Sequence, residues 1–177
     1  YKRQEIYNSF DETDTRREAT FIASYSKNTE TNELTLRGTH VRKNIGYVNA
    51  QGNRIYCGDY IFYRLPLVYL MLAEIENMQG GDVAQYINII RKRAYNTNWD
   101  ETTYGYKNSD FTTNELAILH EKDKEFIQEG QRWWDIRRMT LTKGGKHLVF
   151  CKEGNIDTNT PILDETTEAH KVLWPVD

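Results

Sequence analysis

The segment from Arg64 to Gln79 constrains the fold more than any other part of the chain. On a helical period, Leu65, Val68, Tyr69 and Leu72 share one face, while Leu67, Leu70 and Met71 occupy the others. A helix that is apolar all round is buried on several sides. This one is therefore expected at the centre of the molecule, with more apolar surface than this chain alone is expected to cover. Pro66 suits the first helical turn, where a missing N–H costs nothing. Gly80 and Gly81 supply the stop.

Two further helices follow. Asp82 can cap the second, with Gln85 in the capping-box position, and Val83, Tyr86, Ile87, Ile90 and Ala94 form its apolar stripe. The short connection makes the first two helices an antiparallel hairpin. Beyond a polar loop from Asn96 to Phe111, Thr112 and Glu115 form another capping box. The third helix is then expected over Asn114–Met139, with Leu116, Leu119, Phe126, Gly130 and Trp133 along one side.

Ahead of these helices the pattern is that of strands. Residues 20–25 and 33–37 mix β-branched, aromatic and alternating residues around the turn-forming run 27–32, which predicts a hairpin. Residues 140–177 carry Gly144, Gly145 and Pro161 and read as an irregular tail. The expected fold is mainly α: antiparallel, tetratricopeptide-like helix hairpins with an N-terminal β-hairpin or irregular segment. A single domain over 1–177 is expected, divided into a strand and loop segment (1–63), a helical core (64–139) and the tail (140–177).

Composition excludes several functions. Lys and Arg number 23 against 26 Asp and Glu, a net charge of −3, so the basic footprint of a nucleic-acid binder is missing. The apolar run Leu65–Ala73 is far shorter than the ~20 residues needed to span a bilayer. Cys57 and Cys151 lie too far apart in sequence for a zinc ribbon or a C-x-x-C pair and are expected to be free thiols, or at most one bridge. Neither a phosphate-binding glycine loop nor a nucleophile motif occurs, and no cofactor is expected.

The polar chemistry has structural and functional readings. Glu121, Glu125 and Glu129 lie four residues apart, a like-charge stripe that is unfavourable unless compensated. Glu-x-x-His, the spacing of di-metal bundles, is absent, so these acids are read as arginine partners rather than as a metal or acid–base site. Arg137 follows Leu119 by five whole helical turns and returns to the apolar face. A buried guanidinium needs an acid, and Glu76 is the expected partner. Trp99, Tyr104 and Tyr106 stand in the polar loop beside Asn, Thr and Asp. Flat apolar rings with polar neighbours are what sugar stacking requires, although rings closing over the hairpin would give the same pattern.

The segments carrying these residues resemble a known family. Arg64–Glu74 is similar to the R-x-x-E-x-Y-L-x-x-A-E-A helix of SusD/RagB proteins, and Asn88–Ala94 to their N-x-x-R-x-R-A. Glu121–Arg138 resembles E-R-x-x-E-L-x-x-E-G-x-R-W-x-D-L-R-R. Asp14–Arg17 is similar to D-x-R-R, and Leu173–Val176 to the L-Y-P-I-P near the family's end. The resemblance implies the C-terminal third of a longer protein, an outer-membrane, surface-exposed lipoprotein whose lipid anchor lies outside this chain. It implies non-catalytic oligosaccharide capture and delivery to a SusC-like TonB-dependent transporter. The motifs belong to the family's scaffold, so no binding residue carries over by position. A tetratricopeptide-type protein-interaction scaffold without sugar affinity is the alternative, and a glycoside hydrolase using paired carboxylates a third.

Overall fold

The computed structural model describes residues 2–59, 61–156 and 158–172, so the Leu173–Val176 motif lies outside the described residues. The chain forms two compact units, residues 1–63 and 64–177.

In the first unit, helices α1 (Lys2–Asn8) and α2 (Thr15–Thr20) precede an antiparallel hairpin of β1 (Phe21–Lys27) and β2 (Leu34–Val41). Its register runs from Phe21 opposite Val41 to Lys27 opposite Leu34, with an irregularity at Ser24/Tyr25. The expected turn is therefore present, and the second strand runs beyond Arg37. Phe21 is buried against the edges of Tyr7 and Phe10, with ring centroids 5.6 and 6.0 Å away. Asp14 caps α2 by accepting from the Arg16 backbone N–H at 3.0 Å and pairs with the Arg16 guanidinium at 2.7 Å. That double contact accounts physically for an Asp and an Arg two residues apart. A small ladder, β3 (Tyr47–Val48) with β4 (Arg54–Ile55), completes the unit.

The second unit is built on α3 (Leu65–Gln79) and α4 (Ala84–Tyr95). Gly80 ends α3 at φ +75, donating to Asn77 O, and Gly81 N–H donates to Glu76 O at 2.8 Å. These bonds satisfy carbonyls left over at a helix end, and the left-handed turn suits a residue without Cβ. Asp82 accepts from Ala84 N–H at 2.9 Å and so supports the start of α4, but the helix begins at Ala84 rather than at Asp82, and Gln85 donates to Asp82 O instead of closing the expected capping box.

The third helix differs from expectation. Helix α6 (Phe111–Glu125) stops at Phe126, and α7 (Arg132–Arg138) begins after a turn holding Gln128 at φ +61 and Gly130 at φ +75. Two positive-φ residues cannot continue a right-handed helix. The cap of α6 is Asp110, which accepts from Thr113 N–H at 3.0 Å, while Glu115 is buried and bonded to Asn77. The Thr112/Glu115 capping box is thereby replaced.

The core of this unit joins Leu67, Leu70 and Ala73 of α3 to Val83 before α4, to Ile87 and Ile90 of α4, and to Ile118 and Leu119 of α6. Phe126, Ile136 and Met139 complete its helical side. Leu67, Leu70 and Ala73 form the core-facing side of α3, so the face shared by Leu65 and Val68 turns away from the hairpin. The tail is irregular, yet Leu148, Val149 and Phe150, in one 3-10 turn, are buried in the same core.

Candidate functional site

Glu121 and Glu125 of α6, and Glu129 in the turn after it, are all engaged by arginines. Glu121 binds Arg91 at 3.0 Å, Glu125 binds Arg93 at 2.6 Å and also Arg64, and Glu129 binds Arg64 at 2.8 Å. Burial pushes the Glu125 carboxyl up, but hydrogen bonds and charge from Arg93 and Arg64 outweigh it and bring it down to about 2. An acid held this way is a fixed anion rather than a proton donor.

A second ionic cluster was not anticipated from the sequence. Lys122 is 2% exposed, with its Nζ 2.6 Å from both Glu74 and Asp135. Arg138 also binds both acids, at 2.9 Å to Asp135. The available signal was Asp135 three residues before Arg138, on one face of a short helix. Nearby, Arg132 pairs with Asp123 and donates to Gly154 O at 2.7 Å, tying the tail to α6.

The clamp expected between Arg137 and Glu76 is made instead by Arg138 and Glu74. The break at residues 126–131 removes the continuous helix on which counting from Leu119 to Arg137 depended. Among the described residues the Nε and Nη1 atoms of Arg137, both buried, meet no hydrogen-bond partner, and its guanidinium lies 5.7 and 5.2 Å from the rings of Trp133 and Trp134. Glu76 lies over Gly81, where an added Cβ would fall 1.8 Å from its Oε2.

The loop after α4 places the three selected rings in two settings. Tyr104, at the end of α5 (Glu101–Tyr104), stacks on Tyr95 with centroids 4.0 Å apart and planes 16° apart. Trp99 leans on the same Tyr95 at 6.3 Å, with Lys92 Nζ 5.6 Å from its ring. Both rings are half-buried, forming a small aromatic shelf at the C-terminal end of α4. Tyr106 is separate: its hydroxyl donates to Asn114 at 2.7 Å and Arg91 covers its ring at 5.6 Å. The backbone of Tyr106 is held at both polar groups by Asn88, at 2.7 and 3.0 Å. Arg91 also donates to Tyr104 O at 3.0 Å. The motif Asn88–Ala94 therefore positions the loop through Asn88 and Arg91 and ties α4 to α6 through Arg91 and Arg93.

Both cysteines are free, Cys57 exposed and Cys151 buried. Among the described residues, no three His, Cys, Asp or Glu side chains converge as a metal site, and no helix is long and apolar enough to cross a membrane.

Comparison with known proteins places this geometry. The profile described as SusD family matches residues 1–176. A SusD superfamily protein from Bacteroides fragilis NCTC 9343 is 71% identical, with a TM-score of 0.93 over 98% of this chain and 36% of that one. A second, from Bacteroides vulgatus ATCC 8482, is 29% identical with a TM-score of 0.65, over 76% of this chain and 32% of that one. B. fragilis NanU is 26% identical with a TM-score of 0.68, over 96% and 37%. No curated protein matches. The chain thus spans about a third of the length of these solved relatives.

Proposed function

The chain belongs to the SusD family, and from that premise we propose that it takes part in non-catalytic capture of oligosaccharides at the outer-membrane surface. In this reading the whole protein, anchored by lipid outside this chain, passes glycan to a SusC-like TonB-dependent transporter. The observation that carries the reading is the family match over nearly the whole chain. The arginine-bound state of Glu121, Glu125 and Glu129 supports the absence of catalysis, since each acid already serves as an ion-pair partner.

Within this third, Trp99 and Tyr104 are the rings placed to stack on a sugar, backed by Tyr95 and bordered by Lys92 and Asp100. Tyr106, whose ring and hydroxyl are both occupied, acts as loop anchor.

The test uses the full-length protein on a glycan array, followed by calorimetric titration of the strongest hit. Trp99→Ala with Tyr104→Ala is expected to weaken binding about tenfold, corresponding to ~1.4 kcal/mol. Unchanged affinity would move the sugar site outside this third. Failure to bind any glycan would favour the protein-interaction scaffold, and cleavage of the glycan would defeat the non-catalytic reading.

A further inference from the structure

Three buried side chains beneath the ring-bearing loop form a continuous run of hydrogen bonds. Asn77 of α3 donates its Nδ2 to Glu115 of α6 at 2.9 Å, and Asn114 donates its Nδ2 to Asn77 Oδ1 at 3.2 Å. Asn114 Oδ1 accepts the Tyr106 hydroxyl at 2.7 Å and the Ser109 N–H at 3.0 Å. Every donor in the run points towards Glu115. Main chain fixes that sense: Phe111 O accepts from the Asn77 amide, and Ser109 O from that of Asn114, each at 3.0 Å. Neither amide can reverse without setting oxygen against oxygen.

Such a run suits a carboxylate, which only accepts. A neutral acid has a proton of its own to donate, and the groups bonded to Glu115, Asn77 Nδ2 and the Thr140 N–H, are donors themselves. Burial, joined by the charge of Glu74 on α3, nevertheless pushes the Glu115 carboxyl up. The Asn77 and Thr140 bonds and the charge of Arg138 on α7 oppose this only in part. Lys122, two turns along α6, is engaged by Glu74 and Asp135. Glu115 therefore takes up a proton before an ordinary glutamate does, in a setting built to hold its anion.

We propose that Glu115 is a pH-sensitive latch: ionised, it holds Ser109 and the Tyr106 hydroxyl through Asn77 and Asn114, and on protonation it lets both go, loosening the stretch that leads from the aromatic shelf into α6. The loop does not leave the surface. Asn88 keeps the main chain of Tyr106, and Asn108 stays bonded to Gly81 O and the Val83 N–H. The latch is independent of sugar capture and acts whether or not a glycan binds.

The experiment follows amide exchange in the full-length protein by mass spectrometry, resolved to single residues and corrected for the intrinsic pH dependence of exchange, from about pH 7 to about pH 4. Protection of the Ser109 N–H is expected to fall about tenfold, the size of one lost hydrogen bond, with a midpoint above the 4.5 of an ordinary glutamate. The Tyr106 N–H, held by Asn88, is expected to stay protected. Asp100 and Asp110 do not titrate in that range, because hydrogen bonds from Thr103 and Thr113 hold both carboxyls below the usual value. Glu115→Gln, which carries a donor at every pH, is expected to give low Ser109 protection throughout. Where that variant does not fold, Asn77→Ser, too short to reach Glu115, takes its place and is expected to abolish the response. A flat wild-type profile, or a midpoint at or below 4.5, overturns the proposal. So does a variant that keeps the wild-type response, which would assign it to another acid, or a matching loss at Ile87 and Ile90 of α4, which would be general unfolding.

Discussion

Arg64, the residue before α3, binds Glu129 with its Nε 2.8 Å from Oε2, closing a span of 65 positions. The same guanidinium bonds Glu125 and lies 4.5 Å from the ring of Phe126. It thus fixes the start of α3 to the segment where α6 ends and the chain turns towards α7.

Replacing Arg64 with Ala removes this link and leaves two partly buried acids short of a partner. The expected loss is about 3 kcal/mol in urea unfolding, with Glu129→Gln costing less because Arg64 retains Glu125. Equal losses for the two variants would contradict the geometry.

Lys122 is the most deeply buried cation among the described residues that pairs with two acids. Lys122→Met keeps most of the length of the side chain but leaves buried Glu74 and Asp135 with Arg138 as their remaining cation, and is expected to cost roughly 3 kcal/mol. Arg138→Met, half-exposed and with Lys122 still in place, is expected to cost clearly less. Chemical denaturation of both variants decides the order.

The acid limb of stability belongs in large part to Glu125. Its folded value of about 2 lies below the ordinary 4.5, so the unfolded chain binds the extra proton between them. Stability is therefore fully present above about 4.5 and lost as pH falls towards 2, by roughly 3 kcal/mol. Asp123 has the opposite sign. Burial, only partly offset by Arg132, raises it from 3.8 to about 6, so it favours the folded state at acid pH and loses that contribution as pH rises through 6. Glu125→Gln is expected to flatten the stability profile between pH 4.5 and 2, measured by thermal melts across that range.

Tyr106→Phe separates anchoring from binding. Losing the hydrogen bond to Asn114 is expected to lower stability by about 1 kcal/mol while leaving any affinity for sugar unchanged. A fall in affinity with no change in stability would place the Tyr106 hydroxyl on the ligand instead.

The sequence made α3 and α4 legible because Pro66, Asp82 and the Gly80–Gly81 stop mark their ends and their apolar spacing is regular. The break between α6 and α7 was half visible. Gly130 marks a turn, but Gln128 adopts positive φ without any compositional sign, and the apolar spacing continues through both. Arg137 was placed one position from the residue that makes the clamp because that unseen break shifts the helical phase. The buried Lys122 gave no sign, since a lysine on a charged helix normally faces water. The burial of Leu148, Val149 and Phe150 escaped as well: an irregular segment carries no period from which an inward side can be read. For the rings, composition identified the loop, but which faces stay open depends on Tyr95 and Arg91, outside it.

The grip of α4 on the loop falls chiefly on main chain. Asn88 takes both the N–H and the C=O of Tyr106, and Arg91 takes the carbonyl of Tyr104. Every amino acid offers that carbonyl, and all but proline offer that N–H. The path of the loop is therefore dictated by the helix beneath it, and the side chains it displays can be exchanged with little effect on where they are displayed. A surface of this kind can be refitted to a new ligand while its frame stays in place.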